Sequence, residues 1–331
     1  MRIQRIATLL VTGLVLMCVR AMAANSVSAT DAHPDFVSPY QPYELKLQSF
    51  FPALNRLTGV LLHVRINGGR PLRLVLDSGA ESIVIDARSA HSLGLSNGAE
   101  IDLVGLRTKS AKTGTVESVD IGPLSFRNCR IDLVDGEVVE GADGVIPLAM
   151  FSNFLVRLDL PERTLRLFPY PDKQCPAVSF HRAVAEGDLL LVRTLLNRKH
   201  DGYVVLDTGA FCSAISREVA GTLDGSHFLP DLPIAAGTGA ATGRLVSAAV
   251  RFEIAGQELV PDRVVALDLL NLSRHYGVEV VGVLGFPALR PYVLTIDYRN
   301  RLVKIEPKLP AFPRQRHRSH PENSPASLAL R

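Results

Sequence analysis

Two aspartates occur in nearly identical surroundings and could act together in acid–base chemistry. Asp77 sits in LVLDSGAESIVI and Asp207 in YVVLDTGAFCSAI. In each, an apolar run (Leu74, Val75, Leu76; Val204, Val205, Leu206) leads into an acid, a hydroxyl residue and a glycine, and a second apolar run follows. Such runs read as buried strands, and the glycine marks a tight turn or a close backbone approach. A carboxylate at the end of a buried strand is costly unless it is hydrogen-bonded or used. If the two turns meet on a pseudo-twofold axis, the carboxylates cannot both ionise readily and share a proton. One then serves as general base toward a water molecule while its protonated partner donates to a carbonyl oxygen or a leaving nitrogen. Amide hydrolysis of this kind needs no metal, cofactor or covalent intermediate. Gly79 and Gly209 let the backbone turn tightly, and the Ser78 and Thr208 hydroxyls can brace the opposing loops.

The segments around these turns repeat in order. GDLLLVRTLL corresponds to TGVLLHVRI, and both halves close alike, with GVIPLAMFSNFLVRLDLPERTLRLFP from Gly144 and GVLGFPALRPYVLTIDYRNRLVKIEP from Gly282. Aligned without a gap, Asp159 falls on Asp297 and Arg163 on Arg301, and these two acids read as structural turn residues. The acidic turns lie 130 positions apart and the closing segments 138, so the intervening parts differ by eight residues. A duplicated unit of about 110 residues is too long for a solenoid repeat. Two homologous, mainly β domains with short helices fit it, with the site at their interface in one chain, a monomeric pseudo-dimer. Short alternating runs separated by turns such as Asn67-Gly68-Gly69 support the β assignment. Helices are expected at Ala87–Leu95 and Ser216–Leu223.

The expected organisation is a leader over 1–23, an N-terminal linker over 24–56, a first domain over 57–170, an interdomain linker over 171–182, a second domain over 183–307 and a disordered, basic, proline-rich tail over 308–331. The leader has Arg2 and Arg5 before IATLLVTGLVLMCV and an Ala21-Met22-Ala23 cleavage site. Its apolar run is short of the roughly 20 residues that a membrane span needs. Export to the periplasm or the exterior is expected, with no stable membrane insertion once the leader is removed. The formal charge of +3 comes from the ends: residues 1–23 carry three arginines and no acid, and residues 308–331 carry five basic residues and one acid, leaving a body near −4. That balance argues against a nucleic-acid partner. Beyond the leader, Cys129, Cys175 and Cys212 permit at most one disulfide, and Cys212 reads as a small buried hydrophobe. The histidines show no metal-ligand spacing, and neither a GxSxG elbow nor a phosphate-cradling loop occurs.

The paired motifs LVLDSGA and VVLDTGA resemble the signature of the aspartic proteases. GADGVIPLAMF and VVGVLGF resemble the family's hydrophobic-hydrophobic-Gly strand beneath each active-site turn. Alanine after the glycine is closer to the retropepsin-like branch, while the tandem arrangement in one chain is similar to pepsin. The resemblance spans 57–307. It implies an aspartic endopeptidase acting on polypeptides, with Asp77 and Asp207 as the catalytic pair and Ser78, Gly79, Ala80, Thr208, Gly209 and Ala210 as supports. Two features depart from the pattern. The first flap, Val104–Thr115, has no aromatic residue, and Pro147 stands where the second closing motif has Gly285. The second flap, Ala236–Gly243, is glycine-rich, which makes Gly237, Thr238 and Gly239 flap candidates that could hinge a lid. Two other readings fit the same residues: a catalytically inactive peptide- or protein-binding module that keeps the fold, and a structural β protein in which the acids brace the domain interface.

Overall fold

The computed structural model describes residues 11–14, 17–20, 41–51, 57–95, 98–170, 180–186, 189–223, 228–236 and 238–308. The expected leader and tail therefore fall outside the described residues, except for β1 (Val11–Leu14), β2 (Met17–Arg20) and Lys308. Most of the expected interdomain linker, with Cys175, also falls outside them.

The segment read as an N-terminal linker differs from expectation. It contains β3 (Tyr43–Lys46) and β4 (Gln48–Phe50). Leu45, Leu47 and Phe50 are buried while Glu44, Lys46 and Gln48 face solvent, so YELKLQSF is an amphipathic strand pair too short to stand out from its neighbours.

The fold is mainly β. The first unit runs through β5 (Gly59–Ile66), β6 (Leu72–Asp77), β7 (Ile83–Asp86), α1 (Ala87–Ser92), β8 (Ala99–Gly105), β9 (Thr108–Ile121), β10 (Leu124–Val134) and β11 (Gly144–Pro147). A single 3-10 turn, Leu148–Phe151, then leads to β12 (Leu155–Asp159) and β13 (Thr164–Phe168). Asn67 and Gly68, both at positive φ, make the tight turn between β5 and β6. The second unit comprises β14 (His181–Glu186), β15 (Leu189–Leu196), β16 (His200–Asp207), β17 (Ser213–Ser216), α2 (Arg217–Thr222), β18 (Phe228–Ala236) and β19 (Gly239–Val246). It continues through β20 (Phe252–Ile254), β21 (Gln257–Leu259), β22 (Val264–Leu267), α3 (Leu270–Tyr276), β23 (Val280–Gly285), α4 (Phe286–Leu289), β24 (Tyr292–Asp297) and β25 (Leu302–Pro307).

The same pairing pattern recurs in both units. Strand β11 runs parallel to β6 and antiparallel to β7, and β23 does the same between β16 and β17. Gly144 lies opposite Leu74, and Gly282 opposite Val204. Each closing strand is thus wedged between the two apolar runs of an acidic motif. Helices α1 and α2 begin where expected, capped by Asp86, whose carboxylate accepts from Ser89 N, and by Ser216, whose hydroxyl accepts from Val219 N. The units differ after β10 and β22. Nine residues separate Val134 from Gly144, but fourteen separate Leu267 from Gly282, and the longer segment carries α3. Helix α3 was not expected from sequence. It ends at Gly277, whose φ of 66° supplies the left-handed cap.

A third set of strands joins the units. Antiparallel pairing of β12 with β24 aligns Val156 with Ile296 and Leu158 with Leu294 at the centre of the order β14-β25-β24-β12-β13-β3. Arg163 and Arg301 sit at positive φ in matching turns, and Asp159 and Asp297 accept the backbone N–H three residues on. The hairpins β8–β9 and β18–β19 project from the two units. Strand β2 pairs antiparallel with β8, and β1 pairs parallel with β18, each on the outer edge of its hairpin. Among the described residues no helix is long and apolar enough to cross a membrane.

Candidate active site

Strands β6 and β16 end in Asp77 and Asp207. The residues leading into them, Leu74 to Leu76 and Val204 to Leu206, are buried on both faces, and both aspartates have no exposed surface. The local turns satisfy part of each carboxylate: Gly79 N donates to Asp77 Oδ1 at 2.7 Å, and Gly209 N and Ala210 N donate to Asp207 Oδ1 at 2.9 and 2.8 Å. The Oδ2 atoms of both residues are buried and have no hydrogen-bond partner among the described residues.

The two turns lie face to face. A Cβ on Gly79 would stand 2.7 Å from the Asp207 carboxyl carbon, and one on Gly209 would stand closer still to that of Asp77. Only glycine permits this approach of each backbone to the opposite carboxylate. Ser78 and Thr208 then lock the turns. Ser78 N donates to Thr208 Oγ1 and Thr208 N donates to Ser78 Oγ, both at 3.0 Å. Ser78 Oγ donates to Leu206 O and Thr208 Oγ1 to Leu76 O, both at 2.7 Å. Ala80 and Ala210 are buried behind the turns.

The electrostatics follow from this enclosure. Burial pushes the Asp77 carboxyl up to about 7, against the opposing pull of the Gly79 N–H, the adjoining Asp207 carboxyl and the Gly209 N–H. Asp207 is pushed well above the ordinary carboxylate range, first by burial and then by the Asp77 charge. Burial also pushes the Cys212 thiol up to about 12, so this group stays a neutral, small hydrophobe. Among the described residues no group of three or more His, Cys, Asp or Glu side chains could hold a metal ion.

The tips of the two hairpins meet. Thr238 lies in the turn of β18–β19 and is buried, and its Oγ1 accepts from Arg107 N, in the turn of β8–β9, at 3.3 Å. The flap candidates Thr238 and Gly239 thus border the meeting point of two hairpin tips. Gly237 lies outside the described residues. The first hairpin, without an aromatic residue, docks by Leu106, which is buried in a cluster of the second unit that contains Ala210 and Cys212. Reciprocally, Phe211 is buried among residues of the first unit, its ring centroid 5.7 Å from that of Phe50.

Sequence reasoning missed several of these residues. Leu106 and Phe211 carried no signal beyond hydrophobicity, because each is buried by the other unit rather than its own. A buried network of Ser82, Asp132 and Arg130 beside the first turn was also missed: the Ser82 hydroxyl donates to Asp132, which Arg130 Nε approaches at 3.3 Å.

A mainly β chain whose two acidic turns lock against each other and bury a carboxylate pair has the features of one class of protease. Residues 62–146 match the family model described as aspartyl protease, a span from β5 to β11 that includes the first acidic turn. No curated protein matches the chain.

Proposed function

We propose that the protein is an aspartic endopeptidase, which hydrolyses peptide bonds with a water activated between Asp77 and Asp207. The observation that carries this reading is the reciprocal turn geometry, which brings two buried carboxylates together and leaves an unpartnered Oδ2 on each. In the proposed cycle one carboxylate is ionised and takes a proton from the water, whose oxygen attacks the scissile carbonyl carbon. The protonated partner donates to the carbonyl oxygen, giving a gem-diol. Collapse of the gem-diol breaks the C–N bond as a carboxyl proton passes to the leaving nitrogen. Coupling between the carboxyls keeps one proton on the pair. Gly79 and Gly209 allow the approach, Ser78 and Thr208 hold the turns, and the hairpins close over an extended polypeptide. In the same reading the chain works as a monomer, outside the cytoplasm, after loss of a leader over 1–23.

The test is cleavage of a peptide library between pH 4 and 9 by the parent and by Asp77→Asn and Asp207→Asn, with and without a statine-type inhibitor. Cleavage that vanishes in both variants and under the inhibitor supports the dyad. Cleavage that survives either substitution rules it out. A folded parent that binds peptides but cuts none at any pH is a binding module.

A further inference from the structure

The second unit carries a cationic pocket that the paired carboxylates do not account for. It has a volume of about 560 Å³ and lies where the tip of the β8–β9 hairpin meets α2, β19 and α3. This is within the size range usual for ligand sites, about 300–1,000 Å³. Arg107, Arg217 and Arg274 line it against a single acid, Asp268. Asp268 Oδ1 is already engaged, accepting from Leu270 N at 3.0 Å as α3 begins. Arg217 is fixed by donating Nη2 to Thr242 O at 2.7 Å. Arg107 and Arg274 have no ion-pair partner among the described residues. Leu106, Leu267 and Leu270 supply an apolar wall that would strengthen a charge contact made there.

Position ties this pocket to the cleft. Arg107 is the residue whose N–H meets the opposite hairpin at Thr238, and neighbouring Leu106 packs in the cluster that holds Ala210, three residues past Asp207. The first unit offers an internal comparison. Its pocket beside α1 has a volume of about 250 Å³ and begins at Ala87, the first residue of α1, where α2 has Arg217. That pocket carries Glu100, Asp135 and Lys112, and no arginine. Arg274 has no counterpart in the first unit, because α3 lies in the longer connection between β22 and β23. Of these two pockets, only the second unit's is lined by arginines.

We infer that this pocket is a subsite for an acidic residue of the bound polypeptide, on one side of the scissile bond only, with Arg274 and Arg107 as the recognising groups. The inference rests on the endopeptidase reading for the identity of its ligand. Guanidinium forks match a carboxylate in a bidentate manner, and the hairpin tip would bring Arg107 onto it as the cleft closes.

The test uses matched peptide pairs that differ by Glu or Gln at each position along a cleaved sequence. Full-chain parent, Arg107→Gln, Arg274→Gln and Arg274→Glu are compared by the Glu/Gln ratio of kcat/KM. Binding of the same pairs to the Asp207→Asn variant is measured in parallel. At one position the parent should favour Glu about tenfold. Either Gln variant should bring that ratio toward one, and Arg274→Glu should reverse it so that Gln is favoured. High salt should narrow the parent's ratio. A ratio near one at every position in the parent, or a preference unchanged in all three variants, overturns the inference. Inorganic phosphate that binds in an arginine-dependent way without any Glu preference would identify a free-anion site instead, and also overturns it. Glu-selective, arginine-dependent binding without cleavage would retain the subsite while removing the endopeptidase reading.

Discussion

Ser78 and Thr208 make four hydrogen bonds across the junction of the two units, each hydroxyl accepting from the other residue's N–H and donating to the carbonyl that precedes the opposite aspartate. The two turns are thereby one structure, and a change on either side acts on both carboxylates. Thr208→Val removes an acceptor and a donor while keeping the volume, leaving Ser78 N and Leu76 O without these partners. A buried orphan costs about 1–3 kcal/mol, so a loss of about 2–4 kcal/mol is expected in urea denaturation. Thr208→Ser, which keeps the hydroxyl, should lose less than about 1 kcal/mol.

The carboxylate pair should make the chain less stable as pH rises. Both folded-state pKa values are raised, Asp77 to about 7 from an ordinary 3.8, so between those values the folded chain holds protons that the unfolded chain has released. Stability contributed by the protonated form is full below about 4 and falls as pH rises toward 7. Asp77→Asn removes this dependence on one side. Its melting temperature should exceed the parent's at pH 7, by about 2–4 °C for each ~1 kcal/mol recovered, and the gap should close at pH 4. An unchanged gap across that range would contradict the raised values.

Activity should follow the same titration. A dyad that works with one proton loses rate when both carboxyls are protonated, so the acid limb of kcat/KM should lie near 7 rather than in the ordinary carboxylate range. A profile with its maximum at pH 3–4 would refute this.

Gly79→Ala tests the close approach. Its Cβ would come within 2.7 Å of the Asp207 carboxyl carbon, which forces the turns apart. Displacement of this order costs about 100-fold in rate, so kcat should fall by that amount while circular dichroism stays close to the parent's.

Phe211→Ala probes the exchange of side chains between units. Phe211 packs into the first unit's cluster against Phe50. Truncation of a buried phenylalanine costs about 3–5 kcal/mol, measurable in urea. Because the ring lies between the units, kcat/KM at a permissive temperature should fall as well.

The acidic turns, the strands on either side and the matching closing segments were legible because they depend on local order: apolar runs, a turn glycine and two copies to compare. The short helices that follow β7 and β17 were legible for the same reason. The strands at Tyr43–Phe50 were not, since three or four alternating residues become a strand only when β13 and β5 offer them edges. Helix α3 is similarly short, and packing of Leu272 and Tyr276 stabilises it more than propensity does.

By itself, the sequence determined that two carboxylates end apolar runs in a β-rich chain whose segments recur in the same order. Tertiary structure alone decided what surrounds them. The meeting of the units buries Leu106 in the second unit's cluster and Phe211 in the first unit's, and raises the carboxyl pKa values. It also brings Arg107, Arg217 and Arg274 into one pocket from three separate elements. Burial and charge proximity are properties of contacts between distant segments, and no local pattern encodes them.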